Sequence, residues 1–195
     1  RGRDIKRYYY EWAGLWVIVI PAGWTNENRN NEKPDDFIQR SLPSLMQHLK
    51  QFEAKAIKRD DQGDYWWELR HCAYYPKFEK EKVVYSETIK IYFDGTRNYP
   101  RFCYDDNQVF LDKTTFFITG LNNKKYLLGF LNSKVSEYLL ENGYCIKLGS
   151  GSRGLQKILI EKIPLPSMTP TNEPIVKQIE FLVDKILAAK KQNQT

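Results

Sequence analysis

Histidine is nearly missing from these 195 residues, with only His48 and His71, and the three cysteines (Cys72, Cys103, Cys145) are odd in number and widely spaced. Such a supply offers no convincing metal cluster, no general-base pair, no disulfide framework and no Cys-x-x-Cys clamp. It fits a reducing cytoplasm, with His71-Cys72 read as a strand edge beside a core thiol. Long apolar runs are missing too. The longest, Leu15 to Ala22, contains Pro21 and falls well short of the roughly 20 residues of a bilayer-spanning helix, so a soluble protein is expected, with no membrane partner. There is no initiator Met and no charged-then-apolar secretory signal, and the chain reads as a piece of a longer one. Residues 149–154 are rich in glycine but lack the Gly-Lys-Ser/Thr ending of a nucleotide-binding loop. A Gly-rich loop placed after a strand is absent, as is an Asn/Asp-Pro-Pro-Tyr segment, so no methyltransferase chemistry is expected from these residues themselves.

What is present supports one sizeable core, or a domain with a helical appendage: 42% of residues are hydrophobic. The net charge of +6, from 30 basic and 24 acidic side chains, leans toward a polyanionic partner. Placement matters more, because basic residues in loops reach phosphates while those on helix faces are solvated. Aromatics make up 14% of the chain, too many for all to be core. Tyr8, Tyr9, Tyr10, Trp66 and Trp67 are read as packing under a helix in preference to stacking on unpaired bases.

The order of elements follows from periodicity. Trp16-Val17-Ile18-Val19-Ile20 reads as a buried strand, and Thr25 to Asp36 as a surface loop. Leu42, Leu45, Leu49, Phe52 and Ala56 predict a helix from about Pro43 to Arg59, closed by a turn at 60–64 before a strand at Tyr65 to Leu69. Strands are expected at 83–85, 89–93, 109–111 and 114–118, with loops at 94–101 and 103–107 between them. Leu127, Leu128, Leu131, Val135, Tyr138 and Leu139 predict a helix over 124–141. Strands at 144–148 and 158–164 are expected to flank the loop 149–154. A linker at 167–172 leads to a last helix whose stripe is Ile175, Ile179, Leu182 and Ile186, flanked by Val176, Val183 and Leu187. That helix either docks on its own domain or serves as a strut to another. There is no internal repeat. The expected organisation is an α/β (α+β) recognition domain over 1–166, a mixed twisted sheet with packed helices, followed by a linker and C-terminal helix over 167–195.

Three groups of residues could meet nucleic acid. Arg97, Asn98 and Arg101 are of the types that pair with base edges in the major groove, unless they are merely solvated. Ser150, Ser152 and Arg153, with Lys157 just beyond, lie in or beside a loop whose small residues allow close backbone approach to a phosphate. Arg1, Arg3, Lys6 and Arg7 could hold the DNA backbone, although Arg3 and Asp4 also read as a structural pair. Pro34-Asp35 followed by Glu53-Ala54-Lys55 mimics a magnesium nuclease pattern, but its Glu-x-Lys falls inside a predicted helix where a nuclease needs a strand.

Four stretches stand in a fixed order: Gly2-Arg3-Asp4-Ile5-Lys6-Arg7-Tyr8-Tyr9-Tyr10, Tyr65-Trp66-Trp67-Glu68-Leu69-Arg70, Leu127-Leu128-Gly129-Phe130-Leu131-Asn132-Ser133-Lys134 and Ile163-Pro164-Leu165-Pro166. Together with Arg59 and Lys82-Val83-Val84-Tyr85, they resemble the TaqI-like specificity domain at the C-terminal end of adenine-specific DNA methyltransferases, including type IIG restriction-modification enzymes. The resemblance spans nearly the whole chain and is similar, too, to target-recognition domains of type I specificity subunits. It implies a double-stranded DNA partner, a methyltransferase core upstream in the same polypeptide, and S-adenosylmethionine, with or without magnesium, in the parent only. The family's catalytic residues have no counterpart here. The rival expectations are an interaction module of a larger defence complex and a metal-dependent nuclease.

Overall fold

The computed structural model describes residues 1–93 and 95–192. Asp94, the first residue of the expected loop 94–101, and the last three residues of the expected C-terminal segment lie outside them. The chain forms two compact units, one of Arg1–Leu15 with Pro76–Thr195 and one of Trp16–Tyr75. The class is mixed α/β with packed helices and a C-terminal helix, as expected, and the strands form three small sheets whose ladders are antiparallel.

In the Trp16–Tyr75 unit the helices are α1 (Trp24–Asn28), α2 (Pro34–Ser41), α3 (Pro43–Lys50) and α4 (Glu53–Ala56), around a core of Ile20, Ile38, Met46 and Trp67. Two expected strands are absent. Residues 16–20 carry no strand: Trp16 is 85% exposed, and burial begins at Ile20, whose carbonyl accepts from the Leu69 amide at 2.8 Å. An apolar run without a sheet edge to pair with gains nothing from extension. The Tyr65–Leu69 stretch is a turn because the Glu68 carboxylate, fully buried, gathers the amides of Gly23, Thr25 and Asp64 at 2.9–3.1 Å. Arg59 grips the same turn from outside, Nη2 donating to the carbonyls of Trp66 and Glu68. Trp67 Nε1 donates to Thr25 Oγ1 at 3.0 Å, and the Tyr65 and Trp67 rings stack. The expected loop 25–36 holds most of α1 and the start of α2. The expected 43–59 helix breaks between α3 and α4, where the Gln51 amide donates to the His48 carbonyl at 2.8 Å.

In the other unit α5 (Tyr75–Phe78) leads to β1 (Lys82–Ser86), which is buried at every residue, as a strand paired on both edges and covered on both faces must be. β2 (Thr88–Lys90), β3 (Tyr92–Phe93) and β4 (Thr96–Arg97) follow, so the expected strand 89–93 is divided. β5 (Phe102–Asp105) replaces the expected loop at 103–107, and β6 (Thr115–Ile118) completes a sheet ordered β5-β1-β6. Side chains of β1 alternate: Val83 and Tyr85 join the main core with Phe102, while Val84 meets Ile5 and Cys103 on the opposite face. Lys82 lies opposite Asp105, and the two form an ion pair with no exposure on either side. Asp105 also accepts from the amides of Asn107 and Val109 at 3.0 and 3.1 Å, curling 107–109 around itself where a strand at 109–111 was expected.

Next come α6 (Lys124–Leu131), α7 (Lys134–Leu139) and a wide π-type turn at Leu140–Tyr144. One continuous helix was expected. Ser133 instead caps α7, its Oγ accepting from Ser136 N at 3.2 Å. Asn132 turns inward, its side chain accepting from Phe102 N at 3.0 Å and donating to Phe102 O at 2.9 Å. β7 (Ile146–Leu148) and β8 (Ser152–Gly154) form a hairpin, and β8 pairs on its other edge with β2. The expected strand 158–164 is replaced by α8 (Lys157–Ile160): three-residue spacing buries Ile160 and Ile163 and leaves Ile158 60% exposed. α9 (Glu173–Gln192) packs on α6, with Ile179 and Val183 at Gly129, where an added Cβ would come within 2.9 Å of Ile179. The contact stripe therefore lies one residue beside the expected one, with Ile175 and Leu182 exposed.

Candidate nucleic-acid interface

Most basic residues of the opening segment are engaged within the fold. Gly2–Asp4 is a 3-10 turn in which Arg1 and Arg3 bracket Asp4 at 2.9 and 3.7 Å, and Lys6 pairs with Glu11 at 3.1 Å. Arg7 donates to the Asn132 carbonyl. Tyr8, at φ +77°, bridges Cys103 in parallel, so the segment runs beside β5. A Cβ at Gly2 would collide with the Ser86 hydroxyl, so a larger residue there must displace that side chain. Arg3 keeps 73% of its side chain exposed, whereas the rest of the motif works as a clasp on the sheet.

The loops around Arg97 and Arg153 converge. β2, β3 and β4 are consecutive: Asn98 N donates to Ile91 O at 2.6 Å, and Ile91 N donates to Gly151 O at 3.1 Å. This ties the Tyr92–Arg97 hairpin to the tip of the β7-β8 hairpin, where Ser150 and Gly151 adopt φ of +59° and +68°. Both arginines then meet acids one helical turn apart. Arg97 pairs with Glu137 of α7, donates to the Tyr92 hydroxyl at 3.1 Å and lies over the Tyr92 ring. Arg153 forms a two-point fork with Glu141, Nε to Oε1 and Nη2 to Oε2, each 2.8 Å. The fork holds the Glu141 carboxyl below the usual carboxylate range and raises the Arg153 guanidinium. Burial pushes the neighbouring Tyr99 hydroxyl and Cys145 thiol up, so both are neutral at physiological pH.

Among the described residues, cations outnumber acids here. Lys134 also reaches Glu137 at 3.3 Å, Lys147 stands opposite Arg153 in the ladder, and Lys90 stands opposite Ser152. Lys90 and Lys147 are exposed and form no ion pair among the described residues. Of the remaining sequence candidates, Asn98 is half-buried, Ser150 exposed and Ser152 half-buried, and Lys157 is exposed with Glu161 at 3.5 Å. Asp35 and Glu53 sit on α2 and α4, the latter paired with Lys50. His71 and Cys72 lie outside any strand, with Cys72 only half-buried. Among the described residues, no group of three or more His, Cys, Asp or Glu side chains could hold a metal ion, and no helix is long and apolar enough to cross a membrane.

Arg101 departs furthest from an open recognition loop. It is 8% exposed, its Nε has no hydrogen-bond partner among the described residues, and burial lowers its pKa. Among the described residues Arg101 has no counter-charge, and a buried cation so placed is unfavourable. Arg101→Met is therefore expected to raise stability by about 1 kcal/mol, seen as a higher urea midpoint. A lower midpoint would mean that the guanidinium serves a partner inside the fold.

Sequence reasoning missed Glu137 and Glu141. Their four-residue spacing puts both on one side of a helix, but nothing local says which loops that side meets. Lys90 and Lys147 were hidden within strands for the same reason. Among curated proteins nothing matches the chain. The family described as TaqI-like C-terminal specificity domain matches residues 1–165, ending just before Pro166 and the last helix. The match covers most of the chain and includes both arginine-bearing hairpins, and the chain belongs to the TaqI-like C-terminal specificity domains, which serve target recognition in restriction-modification proteins.

Proposed function

We propose that this chain reads double-stranded DNA in a sequence-specific manner for an adenine-specific (N6) DNA methyltransferase or restriction-modification enzyme, with a methyltransferase core in the same polypeptide. The observation that carries this is the convergence of the Arg97 and Arg153 hairpins over Glu137 and Glu141 in a setting where, among the described residues, cations exceed acids. An adenine methyltransferase must extrude its base, at a cost of a few kcal/mol. A module gripping the duplex opposite the core contributes binding energy at that place and selects the sequence. S-adenosylmethionine, and magnesium where a nuclease accompanies the core, would be bound by the parent's other parts. The setting for such an enzyme is the cytoplasm, and residues 167–195 then serve as the link and strut beyond the recognition domain.

Duplex affinity should fall linearly with salt on a log–log scale. Arg97→Ala should weaken binding by roughly fivefold to a hundredfold, since one arginine contact to a base edge contributes about 1–3 kcal/mol. Anisotropy titrations of a labelled duplex between about 50 and 200 mM salt, the range over which several phosphate contacts show plainly, read this directly. No binding at the lowest salt would reject the proposal. A second reading, assembly through α9, draws on the exposure of Ile175, Phe181 and Leu182. It requires a Leu182→Asp change to disrupt a complex while leaving DNA affinity intact.

A further inference from the structure

We infer that Glu141, and by the same chemistry Glu137 one turn earlier, are positioning residues of DNA recognition that aim the arginines at guanine and away from phosphate. The inference rests on the DNA-reading proposal above. Arginine has five N–H donors in a rigid fork. Glu141 takes Nε–H and one Nη2–H of Arg153, and the Ser152 carbonyl takes one Nη1–H at 3.0 Å. Two donors remain, one on each terminal nitrogen. They suit the O6/N7 edge of guanine or two oxygens of a phosphate.

The bound carboxylate separates those two ligands. A phosphate drawn to the free end would share one guanidinium with Glu141, bringing two anions within a few ångströms, whereas a guanine edge is neutral and adds no such repulsion. The fork therefore fixes the orientation of Arg153 and discounts non-specific backbone binding together. Arg97 is held in a comparable way. Glu137 and the Tyr92 hydroxyl each take a donor, and the Tyr92 ring supports its flat face. Both acids are themselves well shielded, Glu137 13% and Glu141 26% exposed, so neither swings freely. Neutralising excess positive charge would be a purely structural use of Glu141, since Lys147 lies directly across from Arg153. That use predicts no effect on base preference.

The test passes the chain over a pool of duplexes with a randomised central segment and sequences the retained DNA at two salt concentrations, for the unaltered chain, Glu141→Ala, Glu141→Gln and Glu137→Ala. The unaltered chain should prefer guanine at one or more positions by roughly tenfold to a hundredfold, the range of one bidentate contact. In Glu141→Ala, preference at one position should drop below about threefold, while total retention rises and its salt dependence steepens. Glu141→Gln, which keeps one acceptor without charge, should fall between. If Glu141→Ala and Glu141→Gln, folded by circular dichroism, enrich the same guanine as strongly as the unaltered chain, the inference is overturned while the DNA reading stands. If the unaltered chain enriches nothing, both fall together.

Discussion

Lys82→Met is expected to lower stability by about 3–5 kcal/mol, the largest effect of any single substitution in the sheet-bearing unit. Lys82 and Asp105 face each other across β1 and β5 with no solvent on either. The ammonium also donates to the Phe78 carbonyl at 2.6 Å. Removing the cation leaves a carboxylate in the interior whose remaining donors are the amides of Asn107 and Val109 and the Tyr10 hydroxyl at 3.4 Å. Burial has already pushed that hydroxyl up to about 12, so it stays a donor and cannot supply charge. An isolated buried charge is far more unfavourable than a buried pair, and replacing both partners by apolar residues is often neutral. The double change Lys82→Met with Asp105→Leu should accordingly recover much of the loss, less what the 107–109 curl requires. Urea unfolding of the two variants measures this. A single variant within 1 kcal/mol of the parent would show that the pair is not sealed from water.

Glu68→Ala is expected to cost a similar amount, about 3–5 kcal/mol, through a different route. One carboxylate satisfies three amides, two of them at the start of α1, where helix N–H groups have no partner of their own. Alanine would orphan all three and leave a void beside Trp67 and Thr25. Glu68→Gln should do less harm, since its carbonyl oxygen still accepts but its amide group cannot. Because Glu68 organises Trp16–Tyr75, hydrogen exchange should accelerate there first, at the amides of Gly23, Thr25 and Asp64, while β1 and β5 keep their protection. Uniform loss of protection along the whole chain would show the two units to be one cooperative block.

These two residues show where the sequence was legible and where it was not. The last helix, β1, β6 and the starts of α3 and α6 follow from three- and four-residue or alternating apolar spacing, which is local information. What failed was decided mostly by polar partners. Glu68 bends a Tyr-Trp-Trp run with every mark of a strand by gathering amides more than forty residues upstream, Asp105 curls the adjacent 107–109 around itself, and Asn132 interrupts a helix to pair with Phe102 thirty residues upstream. Trp16 to Val19 has strand composition but no edge to join. The candidate site divides likewise. Arg97 and Arg153 were visible as fork-bearing residues in polar loops, and their convergence is a property of sheet pairing through Ile91 and Gly151. Arg101 looked like its neighbour Arg97, yet it sits just before β5 in a stretch where Tyr99, Phe102 and Cys103 are all buried. The Gly-Arg-Asp-Ile-Lys-Arg-Tyr opening, a basic arm by composition, is spent on Asp4, Glu11 and Asn132.

Sequence reading by the two converged hairpins is tested most directly by the motif retained from a randomised duplex pool by the Arg97→Ala/Arg153→Ala double variant, compared with the unaltered chain. The expected result is that the unaltered chain enriches one motif containing guanine, and that the folded double variant still retains duplex at low salt through Lys90, Lys147 and Lys134 but enriches no motif. The same motif emerging undiminished from the double variant would contradict it.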